Sequence, residues 1–196
     1  MKKLLRRMMV IGCLVVTCMS VTGCWNGDEG FEEVTGTENE ELSFNEGVDF
    51  GKKTADKNCS DEDVFNALDR TIKEHPGRIC YDLYLRGYVE ACIKNGRTFK
   101  IEGNEQSGGT YFLYLYSKYQ MRCDEIDDVT KHMSASTIVD LTIKNMVPEF
   151  EYEYCGFSHQ KNDLLVYDLR DENREVVGKG YYDLNTHKVS YEMNNK

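Results

Sequence analysis

The first 23 residues have the pattern of a segment that is removed before folding, so they limit which part of the chain can form a domain. Four basic residues come first, with no acidic residue among them: Lys2, Lys3, Arg6 and Arg7. An uncharged apolar run follows from Met8 to Val21. This run is shorter than the roughly 20 apolar residues of a membrane-spanning helix. A basic start and a short apolar run are typical of a secretory signal peptide, which predicts that the rest of the chain is exported.

The end of this segment is more specific. Val21-Thr22-Gly23-Cys24 resembles the lipobox of bacterial lipoproteins. The resemblance implies that residues 1–23 are a lipoprotein signal peptide and that Cys24 becomes the lipidated N-terminus, bound to the cell membrane and facing outside the cytoplasm. Two acyl chains anchor stably where one chain binds marginally, because each buried CH₂ contributes ~0.8 kcal/mol. The alternative is a cysteine in an ordinary signal peptide or in an N-terminal anchor helix.

The charge of the chain excludes some partners. The formal net charge is −10, and residues 1–23 carry four cations and no acids, so the chain from Cys24 onward has a formal charge of −14. Nucleic acid favours proteins whose Lys and Arg displace phosphate counterions. Anionic headgroups also repel an acidic chain, so membrane attachment is predicted through the lipid alone. We therefore expect no nucleic acid partner.

Residues 24–58 are predicted to be the lipidated cysteine followed by an acidic flexible tether. Nine acidic residues and no basic ones lie between Trp25 and Gly51. A segment of low hydrophobicity and like charge buries too little surface to offset the entropy lost on ordering. The tether is expected to hold the folded part away from the membrane.

Residues 59–196 have the length and the apolar content of a single domain. A helix is predicted to begin after Ser60, whose side chain can accept the N–H of Asp63, and to end at His75-Pro76-Gly77. Residues 79–94 fit both a strand and a helix. The strand is preferred because Asn95-Gly96 follows, a strong hairpin signal.

The remaining pattern predicts more strands than helices. Arg97–Glu102 is predicted to be a returning strand, Tyr111–Tyr119 a central strand, and Ala135–Met146 a helix. Four strand-like runs follow, around Phe150–Tyr154, Leu165–Leu169, Val176–Leu184 and Val189–Met193. The predicted class is α+β, an antiparallel sheet packed against one or two helices. Two α-β-β-β halves, 59–121 and 122–196, are a further possibility for its organisation.

The stretch Tyr181-Tyr182-Asp183-Leu184-Asn185-Thr186-His187-Lys188-Val189 is similar to the terminal hairpin of PepSY-type modules. His187 stands where that family usually has Gly. The resemblance covers roughly Ala135 to Met193 and implies a helix followed by an antiparallel sheet, with a binding or regulatory role near the cell envelope. Cystatin-like and NTF2-like cones are the competing folds, and a helix at 79–94 would favour the NTF2-like cone.

Five cysteines remain in the domain: Cys59, Cys80, Cys92, Cys123 and Cys155. Export allows disulfides, but five is an odd number and the sequence does not choose among the pairings. Structural disulfides and buried free thiols both remain open. Without a Cys-x-x-Cys pair, a thioredoxin-like site or a zinc ribbon is not expected.

The sequence contains no motif that predicts catalysis. The four histidines, His75, His132, His159 and His187, lie far apart. The acidic clusters 61–63 and 124–128 lack the spacing of a calcium loop. Catalytic residues, cofactors and metals are therefore not expected. Ten tyrosines fall on the presumed strands, where core packing is preferred over a binding face.

Together these patterns predict a non-enzymatic bacterial lipoprotein with an extracytoplasmic module that binds a protein, a peptide or a wall polymer. The alternative is an NTF2-like lipoprotein that binds or converts a small molecule in a cavity.

Overall fold

The computed structural model describes residues 36–54 and 59–194, which belong to one compact unit. The predicted signal peptide, Cys24 and residues 25–35 and 55–58 of the predicted tether lie outside the described residues. The helices are α1 (Glu38–Thr54), α2 (Asp61–Glu74), α3 (Tyr81–Lys94), α4 (Gly108–Gln120) and α5 (Asp128–Met146). The strands are β1 (Phe99–Ile101), β2 (Asn104–Gln106), β3 (Tyr154–Lys161), β4 (Leu164–Arg170), β5 (Val176–Asp183) and β6 (Val189–Met193). Within the described ranges, no helix has both the length and the apolar character needed to cross a bilayer.

The second half of the domain is a four-stranded antiparallel sheet with one face covered by α5. The strands pair in chain order, β3-β4-β5-β6. Val139 and Ile143 of α5 pack over Gly180, where an added Cβ would lie 2.5 Å from Val139 Cγ1. Leu165, Tyr167 and Leu169 of β4 complete this core. The predicted α+β class is confirmed, with an antiparallel sheet packed against a helix.

A second core lies among the helices of the first half. It contains aromatic residues from three helices, including Phe65 of α2, Tyr84 and Tyr88 of α3, and Tyr111 of α4. The Phe99 and Tyr111 rings stack with centroids 4.2 Å apart, which ties the β1–β2 hairpin to α4. The first half is therefore a helical unit with a short hairpin. The prediction of two α-β-β-β halves is wrong.

Two predicted strands are helices. Of residues 79–94, Tyr81–Lys94 form α3, because Tyr84, Leu85, Tyr88 and Val89 make a broad buried face at helical spacing. Residues 111–119 belong to α4, which begins where the Ser107 side chain accepts the N–H of Thr110. Gly108 and Gly109 are the first two residues of this helix. A helix with a wide apolar face also has apolar residues two positions apart, as a strand does. This explains why both helices were predicted to be strands.

The prediction of a flexible tether up to residue 58 is wrong for residues 38–54, which form α1. This helix packs against α3 through backbones that approach each other closely at Gly47 and Gly51 of α1 and at Gly87 of α3. The Ser43 hydroxyl accepts the N–H of Cys80 at 2.9 Å, which fixes α1 at the start of α3. Small residues can form an interface without a large apolar side-chain area. The compositional argument for disorder missed this kind of packing.

The predicted start of α2 is confirmed. Ser60 Oγ accepts the Asp63 N–H at 3.2 Å, and the Asp63 carboxylate accepts the Ser60 N–H at 2.9 Å. This reciprocal capping box satisfies two donors at the helix start.

We expect Ser60→Ala to lower the free energy of unfolding by about 1 kcal/mol, because the substitution removes the acceptor for the Asp63 N–H. Urea unfolding followed by circular dichroism measures this loss. Ser190→Ala, an exposed serine on β6, is the control and should change stability little. Equal effects of the two substitutions would contradict a capping role for Ser60.

Candidate functional site

The sheet has an exposed edge at β3. This strand pairs with β4 on one side and, among the described residues, with no strand on the other. All of its eight residues except Cys155 are exposed. An edge strand of this length presents a row of N–H and C=O groups to which another extended chain can pair. The edge is therefore the first candidate for a binding site.

Helix α5 supports this edge along one face. The rings of His132 and Phe157 stack with centroids 3.8 Å apart. Ser136 Oγ donates to the carbonyl oxygen of Cys155 at 2.9 Å, and the Tyr167 hydroxyl donates to the carbonyl oxygen of His132 at 2.9 Å. Since His132 meets Phe157 and Ser136 meets Cys155, α5 runs antiparallel to β3. These contacts attach β3 to α5, while seven of the eight residues of β3 remain exposed.

Three apolar side chains stand exposed where α5 and β3 meet. Val129 is 68% exposed, Met133 is 55% exposed and Phe157 is 40% exposed. Val129 and Met133 lie one turn apart on the same flank of α5, next to His132, which stacks on Phe157. We call Val129, Met133 and Phe157 the edge patch. Contiguous exposed apolar residues with polar surroundings are typical of interaction sites.

β3 also carries features that limit uncontrolled pairing. The register with β4 shifts between Phe157 and His159, so Ser158 is an extra, bulged residue. Lys161 stands exposed at the end of the strand. Bulges and lysines are devices by which natural edge strands avoid aggregation. The β3 edge is accessible to a partner, and the bulge and Lys161 limit its nonspecific pairing with other strands.

A small surface pocket gathers several residues that the sequence singled out. It has a volume of about 260 Å³ and lies between the end of α4, the start of α5 and the β5–β6 turn. Its lining residues are Met121, Cys123, Asp124, Ile126, Asp128, Lys131, Leu184 and His187. Asp124 and Asp128 of the acidic cluster and His187 are therefore brought together. In the described residues, no group of three or more His, Cys, Asp or Glu side chains is arranged to hold a metal ion.

Several of the residues singled out by the sequence make contacts that support the fold. In the cluster 61–63, Asp61 accepts from Lys118 Nζ at 2.6 Å and Asp63 caps α2. His187 adopts a left-handed backbone with φ of 55°, as a Gly would, and its Nδ1 lies 3.0 Å from the Tyr182 hydroxyl. His75 ends α2, and His159 lies on β3 away from the pocket lining. The four histidines do not form one site.

Three of the five cysteines of the domain have the environments of structural thiols. Burial raises the pKa of the Cys155 thiol to about 12. Burial also raises the pKa of the Cys92 and Cys123 thiols above the usual value. A thiol is a strong nucleophile only as the thiolate, so these three cysteines are poorly suited to nucleophilic chemistry at neutral pH.

The tyrosines mostly pack inside the domain. Of the ten assigned to strands by the sequence, Tyr111, Tyr114, Tyr116 and Tyr119 lie on α4, and five are buried: Tyr111, Tyr119, Tyr152, Tyr167 and Tyr182. Tyr154 on β3 is exposed. The preference for core packing holds for the buried residues, and no continuous tyrosine face is formed by the described residues.

The edge patch was missed because the sequence does not reveal which strand lies at the edge.

Comparison of the chain with protein-family models, curated proteins and solved structures finds no match. The order of α5 and the antiparallel strands agrees with the order that the PepSY-type resemblance implies, and membership of that family stays a prediction. The geometry of the edge and the pocket is therefore the basis for a functional proposal.

Proposed function

We propose that this chain is a bacterial lipoprotein, attached through Cys24 to the outer side of the cell membrane, whose domain binds an extended segment of a protein or peptide at β3. The attachment rests on the signal pattern of residues 1–24. The binding role rests on one observation, an exposed edge strand that α5 supports from one face and flanks with exposed apolar residues.

Strand addition explains why these features occur together. An extended polypeptide can satisfy the free N–H and C=O groups of β3 with its own backbone, which supplies affinity. Its alternate side chains then face the α5 flank, where Val129 and Met133 provide an apolar surface. A wall polysaccharide lacks the regular backbone donors and acceptors of a strand. A protein or peptide is therefore the better fit among the predicted partners.

The pocket supports a second, weaker candidate. A helix at residues 81–94 is what the NTF2-like alternative required. That alternative also required an enclosed cavity on the sheet, whereas Val139 and Ile143 fill the space over Gly180. The 260 Å³ pocket lies instead beside the β5–β6 turn and is smaller than common small-molecule sites of about 300–1,000 Å³. The β3 edge is therefore preferred.

Site-specific photo-crosslinking in cells tests the proposed function. A benzophenone amino acid at Ser158, the bulged residue of β3, should give an adduct with a second polypeptide, whereas the same group at the exposed Glu74 of α2 should not. The double substitution Val129→Gln and Met133→Gln should lower the adduct yield at least about tenfold, because it removes apolar contact area.

The matched control replaces two other exposed apolar helix residues, Ile93→Gln and Leu113→Gln, which are 39% and 36% exposed. This control should leave the adduct at Ser158 unchanged. Adducts of equal yield at Ser158 and Glu74, or equal losses in the two double variants, would show that β3 is not the binding site.

A further inference from the structure

We infer that the segment bound at β3 has an apolar centre with basic residues on both flanks. The inference rests on the proposed binding at this edge and names the chemistry of the partner. It follows from the distribution of charge around the edge patch.

The first acidic group lies at the start of β3. Glu149, Glu151 and Glu153 alternate with Phe150 and Tyr152. The two aromatic residues face the core: Phe150 packs against Gly178, and the buried Tyr152 donates through its hydroxyl to the carbonyl oxygen of Asp140 at 3.0 Å. The three glutamates are exposed, and none forms an ion pair within the part of the chain that the structure describes. Their charge is therefore available to a ligand.

The second acidic group lies at the start of α5, where Asp124 and Asp128 also line the pocket beside the β5–β6 turn. Because α5 runs antiparallel to β3, the start of α5 lies toward the end of β3. Four exposed acids occur there, Asp124, Glu125, Asp127 and Asp128. The Asp127 carboxylate is used to cap α5, where it accepts the Thr130 N–H at 3.0 Å. The other three form no ion pair with any residue in the described ranges 36–54 and 59–194.

Arg170 and Lys144 lie near the first group, but each forms an ion pair with another acid, Asp168 and Asp140 respectively. Residues 149–163 contain four acids and one lysine, Lys161. Residues 124–131 likewise contain four acids and one lysine, Lys131. Both groups therefore have an excess of negative charge, and the edge patch lies between them.

A strand that fits this surface has a definite pattern. The eight residues of β3 span about 26 Å, enough for an added strand of similar length. Apolar side chains at alternate positions of its centre would face Val129, Met133 and Phe157, and lysines or arginines beyond the centre would meet the acids. The same charges repel acidic strands. A second copy of this chain carries the same acidic flanks and is therefore disfavoured.

Two synthetic peptides test this pattern with the full chain in a non-ionic detergent. The probe is acetyl-Lys-Lys-Thr-Val-Thr-Val-Thr-Lys-Lys-amide, and its counterpart has Glu in place of every Lys. Calorimetry or fluorescence anisotropy should show binding of the basic peptide, weakened at least about tenfold between 50 mM and 500 mM salt. The acidic peptide should bind at least about tenfold more weakly at low salt.

Charge reversal locates the contact. Glu151→Lys with Glu153→Lys should weaken binding of the basic peptide at least about tenfold. Glu41→Lys with Glu74→Lys makes the same change in net charge at exposed sites on α1 and α2, and should leave the affinity within about twofold. Circular dichroism checks that both variants are folded. Equal weakening by the two pairs, equal binding of the two peptides, or no binding of the basic peptide at millimolar concentration would overturn the inference.

The variant Val129→Gln with Met133→Gln separates this inference from the proposed function. If it abolishes binding of both peptides while charge reversal changes neither, β3 is a binding edge without a preference for basic segments. If it changes the binding of neither peptide, the edge is not the site and both proposals fail. Sedimentation of the chain alone gives a further check, since a dimer lost in this variant would assign the edge to a second copy.

Discussion

Gly47→Ala is expected to destabilise the domain by about 2–3 kcal/mol, although helix propensity alone favours Ala over Gly by about 1 kcal/mol. A Cβ at Gly47 would overlap the carbonyl oxygen of Tyr84 and lie 2.8 Å from its carbonyl carbon. Both atoms belong to the backbone of α3, which cannot rotate away as a side chain could. The methyl group therefore forces α1 and α3 apart.

Gly87 of α3 lies on the opposite side of the interface between α1 and α3, and a substitution there is also expected to destabilise the domain. A Cβ at Gly87 of α3 would overlap the carbonyl oxygen of Phe44 and lie 3.1 Å from the Val48 nitrogen. Separation of the helices would also disturb the contact between Phe50 and Tyr88, whose ring centroids lie 5.7 Å apart. Gly87→Ala should destabilise the domain by a similar amount, and the double variant should cost less than the sum because one separation relieves both clashes.

Thermal unfolding measures this effect, with a decrease in Tm of roughly 5–10 °C for each single variant. Gly156→Ala is the matched control, since a Cβ at that position meets no atom within 4 Å. Hydrogen exchange should also show faster exchange in residues 38–54 of the Gly47 and Gly87 variants. A rise in Tm for Gly47→Ala would mean that helix propensity dominates and that α1 does not pack closely on α3.

Cys24→Ser is expected to move the protein completely from the membrane fraction to the soluble fraction. The thioether that we propose between Cys24 and the lipid requires the cysteine sulfur, and serine cannot replace it in that bond. Incorporation of labelled palmitate should be lost in the same variant. Cys59→Ser is the control, because Cys59 lies in the folded domain and should leave both properties unchanged. A Cys24→Ser protein that remained bound to the membrane and uncleaved would contradict the lipoprotein assignment.

The parts of the fold that the sequence predicted correctly are those where only one periodicity fits. Leu165, Tyr167 and Leu169 alternate, and β4 buries them on one face. Val64, Phe65 and Leu68 recur at helical spacing after a capping serine, and α2 buries them. In both cases the local pattern and the tertiary contacts agree.

The errors arose where two periodicities fit. In α3 and α4 the buried faces are wide, so apolar residues occur at both i+2 and i+4. The local signal at Asn95-Gly96 also had two meanings, because Gly96 has φ of +77° and lies just after α3 in the turn that leads to β1. Only the packing of Tyr84 and Tyr88 against α1 decides between a strand and a helix for α3. That contact joins distant parts of the chain, so the local sequence does not reveal it.

The candidate site could be predicted only in part. The sequence predicted this strand around Phe150–Tyr154, whereas β3 is Tyr154–Lys161, and its place at the edge follows from the order of all four strands. The exposure of Val129 and Met133 likewise depends on which flank of α5 meets β3. The acidic cluster 124–128 was visible in the sequence. That it lies toward the end of β3 became apparent only from the antiparallel path of α5.

The folding of α1 changes how far the binding edge can move from a lipid at Cys24. A tether of residues 25–58 would span at most about 120 Å when fully extended, whereas residues 25–37 span at most about 45 Å. With the lipid that we propose at Cys24, the shorter segment would keep the domain closer to the bilayer. Partners in the same membrane are then met at a high effective concentration, so even a modest affinity of the β3 edge would suffice to capture them.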